Sequence, residues 1–166
     1  MKTTFLLVLL FSSTCLMAQT SEYVGYKYKP VFVDQSLPNG VKSLGGGVVF
    51  DGDQMTKYGV GHVRKGRSDM LWLELVTKED EKGPTEWEVK DVLTFPLLTK
   101  NQELFTPPAN ESCTVNGKND EKLVVFADLS PRTMKYTMRK AWRVDLTTEK
   151  FKPISVAGIK CVYDEP

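Results

Sequence analysis

The chain has a single histidine, His62, among its 166 residues, and three cysteines. One imidazole excludes the multi-histidine zinc centres, and a Cys pair with one distant His does not make a zinc site. Neither charge sign is in excess: 22 Lys and Arg stand against 21 Asp and Glu. No strong field therefore exists to attract nucleic acid or an anionic membrane surface. No apolar run approaches the roughly 18 to 20 residues that cross a bilayer. A G-x-S-x-G elbow is missing, and Gly45-Gly46-Gly47 is not followed by the Gly-Lys-Ser/Thr ending of a phosphate loop. What is there is ordinary globular composition, 41% hydrophobic and 26% charged, which excludes a disordered tail and a coiled coil. The length suits one domain.

The first residues read as an address. Met1-Lys2 gives a positive start, Phe5 to Phe11 is an unbroken apolar run, and Cys15-Leu16-Met17-Ala18-Gln19 follows. This is the layout of a secretory signal peptide, with the cut expected after Ala18. Cys15 as a lipidated first residue is the weaker reading, because Ser12-Ser13-Thr14 fits a lipobox poorly. Residues 1–18 carry one lysine and no acid, so the expected mature domain, residues 19–166, has 21 basic and 21 acidic residues. The expected location is secreted or periplasmic, with no membrane span after processing.

Two cysteines then remain, Cys113 and Cys161, and an even count in an exported chain points to a disulfide. The bridge would close a loop of about 49 residues, for which the chain-entropy account gives an upper figure of about 4 kcal/mol.

The rest reads as short strands and turns. Leu37-Pro38-Asn39-Gly40, Asp51-Gly52-Asp53 and Asn116-Gly117 are turn signals. Strands are expected over Tyr23–Tyr28, Met55–Val63, Met70–Val76, Thr85–Leu93, Lys122–Asp128, Phe151–Ile154 and Ile159–Val162. Met70–Val76 is apolar on both faces apart from Glu74, as a covered central strand requires. Arg64–Asp69 reads as a basic turn and Lys78–Pro84 as a charged loop. Trp87, Val89 and Leu93 read as one buried row. Residues 133–146 place Met134, Tyr136, Met138, Trp142, Val144 and Leu146 at even positions, which favours a strand over a helix starting at Ser130-Pro131. The fold expected is mainly antiparallel β, a sandwich or a curved barrel-like sheet, with a duplicated meander as a variant. Trp72, Trp87 and Trp142 are expected to anchor the core.

Candidate chemistry is sparse. Asp51-Gly52-Asp53-Gln54 begins like a calcium loop but lacks its later acids and its Glu. Glu86 and Glu88 lie about 7 Å apart on one strand face, a spacing a glycosidase could use, but on the solvated side opposite Trp87. His62, Arg64, Lys65 and Arg67 form the candidate binding surface. No catalytic residue, cofactor or metal is expected. Asn110-Glu111-Ser112 is a glycosylation sequon.

The ending Lys140-Ala141-Trp142-Arg143-Val144-Asp145, Thr148-Glu149-Lys150-Phe151 and Gly158-Ile159-Lys160-Cys161 resembles uncharacterised exported proteins of Bacteroidota, those of flavobacteria in particular, over residues 113–163. The Ala18-Gln19 junction resembles their signal-peptide ends. The resemblance implies a bacterial source, where the sequon goes unused, and carries no activity. The function expected is a non-catalytic binding or interaction module with a protein or glycan partner. A structural envelope component and a carboxylate-dependent hydrolase are the alternatives.

Overall fold

The computed structural model describes residues 22–29, 37–81, 83–107 and 113–162. The expected signal peptide with Cys15, the stretch Pro30-Val31-Phe32-Val33 and the sequon lie outside the described residues. Among the described residues there are strands and no helix: β1 (Lys27–Tyr28), β2 (Val41–Asp51), β3 (Gln54–Lys65), β4 (Ser68–Asp80), β5 (Gly83–Pro96), β6 (Gln102–Phe105), β7 (Cys113–Val115), β8 (Lys118–Asn119), β9 (Leu123–Ser130), β10 (Lys135–Asp145), β11 (Lys150–Ile154) and β12 (Ile159–Cys161). They form a large sheet in the order β1-β5-β4-β3-β2, a middle sheet β11-β10-β9-β6 and a small sheet β12-β7-β8. All paired strands are antiparallel, and no sheet closes into a barrel. The fold is therefore a mainly-β, sandwich-like stack, not a barrel.

Three apolar layers hold the stack. Val49, Val60, Leu71, Leu73 and Phe95 of the large sheet meet Val124, Val144 and Phe151 of the middle sheet. The other face of the middle sheet, with Val125, Ala127 and Ala141, packs on Cys113 and Ile159 of the small sheet. The outer face of the large sheet presents Val41, Val63, Met70, Trp72 and Val89 to a strap, residues 22–28, through Tyr23, Tyr26 and Tyr28. β4 is covered on both sides, as its apolar run requires; Leu71, Trp72 and Leu73 have no exposure. Cutting either leucine to alanine costs about 2–5 kcal/mol.

The Cys113–Cys161 disulfide is present, joining directly opposed residues of β7 and β12. Asn116 and Gly117 both take the left-handed conformation that a two-residue hairpin demands, at φ 51° and 77°. Residues 135–145 are a strand, which excludes the helix there.

Several expectations need correction. Arg64–Asp69 is not a six-residue turn: β3 runs to Lys65, β4 begins at Ser68, and Gly66-Arg67 alone make the turn. Lys78–Pro84 is not a loop, because β4 continues to Asp80 and β5 starts at Gly83. The charges there are held across the pair, as Lys78 Nζ donates to Glu86 at 2.9 Å. Tyr23–Tyr28 is a turn followed by a two-residue strand.

Both expected apolar rows are split by bulges. Lys90 is the extra residue of β5, so Trp87 and Val89 face outward while Leu93 faces the middle sheet. Arg139 does the same in β10: Tyr136 and Met138 face the small sheet, whereas Trp142 and Val144 face the large one. β3-β4-β5 and β9-β10-β11 are each a meander, but the chain after β11 leaves the middle sheet for the small one.

Candidate functional site

His62, Arg64, Lys65 and Arg67 do not form one surface. Alternation along β3 sends His62 and Arg64 to the inner face and Lys65 to the outer. His62 Nε2 lies 3.3 Å from Asp69 Oδ1. Arg64 donates to the same carboxylate through Nε at 2.8 Å and a terminal nitrogen at 3.2 Å, and the Leu98 amide donates to it at 2.9 Å. Asp69 is fully buried. Burial by itself would push its carboxyl up, but the Arg64 hydrogen bonds, the Leu98 amide and the two facing charges outweigh that and hold it below its ordinary value. This cluster clamps the chain after β5 onto the start of β4. Lys65 donates to the Tyr23 hydroxyl at 2.7 Å and to Glu22 at 3.1 Å, tying down the strap. Arg67 is exposed in its turn.

Glu86 and Glu88 are each bound to lysines. Lys78 holds the first and Lys90 the second, with Lys27 within 4 Å of both. Both carboxyls are lowered, chiefly by hydrogen bonds from Lys78 and Lys90 respectively.

A cleft lies elsewhere, at the opposite end of β3 from the basic turn. It has a volume of about 550 Å³ and is built where the β2–β3 turn, the β8 end, the loop before β9 and the end of β10 converge. A second hollow of about 360 Å³ adjoins it, sharing Asp51, Lys122 and Arg143. Two ion pairs cross between elements here. Lys122 Nζ meets Asp51 at 2.6 Å, and Arg143 meets Asp120 through Nε at 2.8 Å and a terminal nitrogen at 2.5 Å. In the adjoining hollow Lys152 hydrogen-bonds Asp145 and holds its carboxyl far below the ordinary range. Phe50 and Val115 add apolar surface to the cleft. No protein-family model, curated protein or solved structure matches the chain.

Sequence singles out only one edge of this cleft, the Asp51-Gly52-Asp53 turn, because Asp51, Lys122 and Arg143 come from three separate turns and strand ends. Glu74 is different: it is the one acid inside an apolar run. It is 7% exposed and lies on the outer face of β4. A Cβ on Gly61 would stand 2.5 Å from its Oε1, so the carboxyl rests where only glycine leaves room. Burial raises the carboxyl to about 7, opposed only by a hydrogen bond from Tyr28. Burial, and then the charge and hydrogen bond of Glu74, push the Tyr28 hydroxyl up in turn. Two residues earlier on the same face, Trp72 Nε1 is buried and donates to no acceptor among the described residues. An unmade hydrogen bond of this kind costs about 1–3 kcal/mol.

Proposed function

We propose that the chain is an exported, disulfide-stapled binding module that engages a protein partner at the charged cleft. The observation that carries this is the convergence of three sheets on a cleft walled by opposed charges. Lys122–Asp51 and Arg143–Asp120 are partly solvated pairs of the kind that contribute little to stability. Such groups exchange partners readily, and across an interface they set specificity and association rate. Arg is also among the residues that anchor protein contacts, and half-buried Phe50 adds aromatic surface beside it.

A glycan is the less favoured ligand because the tryptophans are committed to packing. Trp72 is fully buried, Trp87 lies against Gly59, and Trp142 packs edge-on to Phe95 at 5.6 Å between centroids. None lines the cleft or the adjoining hollow, so neither offers a tryptophan platform to a sugar ring. Hydrolysis by carboxylates is disfavoured too. It needs a protonated acid beside an ionised one. The carboxyl that burial raises, Glu74, lines neither hollow and faces the strap.

The test is capture by residues 19–166 from the exported fraction of the source, with two charge-reversed variants alongside. K122E/R143E reverses the cleft, and K42E/R67E reverses the exposed charges at the other end of the sheet. The expected result is a stoichiometric protein retained by the wild type and by K42E/R67E, lost with K122E/R143E, and bound less tightly as salt rises. Retention by K122E/R143E with loss from K42E/R67E moves the site to the basic turn and defeats this reading.

A further inference from the structure

The outer face of the large sheet holds a device that the cleft does not use. The strap is fastened to β5 by few backbone bonds. The Gly25 amide donates to the Val89 carbonyl at 2.7 Å, the Val89 amide donates to the Tyr26 carbonyl at 2.9 Å, and β1 pairs over Lys27 and Tyr28 only. Side chains add to this: Lys65 binds Tyr23 and Glu22, Lys27 pairs with Glu86 and Glu88, and the tyrosines pack on the indole. Tyr23, Tyr28 and Tyr26 gather around Trp72 at 5.1, 6.1 and 6.5 Å between centroids. Beneath Tyr28 lies Glu74, the buried carboxyl.

We propose that residues 22–28 are a proton-controlled strap: protonated Glu74 keeps it shut over Trp72, and loss of that proton releases it and bares the β5 edge and the aromatic face. A carboxylate sealed in an apolar site gains most by reaching water. The cover that yields with fewest broken bonds is the strap, since the remaining walls are central strands. Release also brings water to the unpaired Trp72 indole N–H.

The groups around Glu74 give the charge no other relief. From the strap, the Tyr28 hydroxyl faces it. From β3, Gly59 and Gly61 supply no side chain. From β5, Val89 stands directly opposite, with Trp87 beside it. The nearby lysines are engaged elsewhere: Lys27 with Glu86 and Glu88, Lys65 with Glu22 and Tyr23, Lys90 with Glu88 and Glu149. With Glu74 near 7 when covered and near 4.5 when open, the opening equilibrium rises by about 70-fold between pH 5 and pH 8.

Amide hydrogen exchange on residues 19–166, corrected for the intrinsic effect of pH, reads this directly. The Gly25 and Val89 amides are expected to lose about 70-fold of their protection over that range, while β9 amides in the middle sheet do not change in step. E74Q should hold the strap amides constant. Y28F, which removes the hydrogen bond that lowers Glu74, should move the loss to higher pH. Strap amides that ignore pH, that respond equally in E74Q, or that change in step with β9 overturn the proposal. If E74Q does not fold, Y28F decides: an unmoved midpoint overturns it.

Discussion

Gly61→Ala is the sharpest probe of how the large sheet is packed. Gly61 is not among the glycines at positive φ, so alanine meets no backbone objection there. Removing the freedom of a glycine from the unfolded chain should by itself stabilise the protein by about 0.4–1 kcal/mol. What opposes this is one side chain. The new Cβ would lie 2.5 Å from Glu74 Oε1, 3.1 Å from Cδ and 3.2 Å from Oε2. The carboxyl must therefore move by several tenths of an ångström. It cannot swing into solvent, because it is buried between Trp87, Val89 and Tyr28. Overpacking of this sort costs about 1–3 kcal/mol. The net expectation for G61A is destabilisation by about 1–2 kcal/mol.

The test is a double-mutant cycle by urea denaturation at fixed pH, with the denaturant slope checked for constancy. In an E74A background the clash is gone and the entropic gain remains. Gly61→Ala should then be neutral or stabilising, a change of sign. If G61A costs the same in both backgrounds, the carboxyl of Glu74 does not rest on Gly61, and the account of the buried acid is wrong.

Other outcomes follow from the same geometry. Because Glu74 is raised from 4.5 to about 7 in the folded protein, its contribution to stability is full below about pH 4.5 and is lost as pH rises through 7. The loss is about 3 kcal/mol at most, less whatever strap opening relieves. E74Q should lose this dependence, as urea midpoints at pH 5 and pH 8 will show. Asp69 has the opposite sign: its carboxyl is lowered, so its stabilisation is present above about pH 3.8 and fades as acid titrates it through its folded value. Asp69→Asn should cost about 2–3 kcal/mol at neutral pH by weakening the Arg64 and Leu98 hydrogen bonds, and thermal unfolding will measure it. Replacing Cys113 and Cys161 together by serine should lower stability by up to about 4 kcal/mol and loosen the small sheet first, which hydrogen exchange at β7 and β12 will report.

How much of this could be read from residues alone depends on the range of the cause. Local chemistry was legible: Asn116-Gly117 makes its hairpin because both residues tolerate left-handed backbone, and the apolar run at Met70–Val76 is buried on both faces. Faces assigned by counting in twos failed wherever a bulge intervened. Lys90 and Arg139 each insert one residue, and that single insertion sends Leu93, and separately Trp142 and Val144, into a different apolar layer from their expected neighbours. Nothing in the local residue types at 90 or 139 announces a bulge, because its cause is the pairing register with β4 and β9. The same limit governs the sites. Arg64 and His62 read as surface groups because their partner, Asp69, reads as part of a turn; two more residues of strand on both β3 and β4 bring it opposite Arg64, where it is buried. Glu74 carried a readable signal, an acid inside an apolar run, but its meaning depends on Gly61 across the sheet and Tyr28 on the strap. The cleft carries a signal on one edge only, the Asp51 turn. Lys122 and Arg143 are ordinary surface residues in sequence, and only the stacking of three sheets turns them toward that turn.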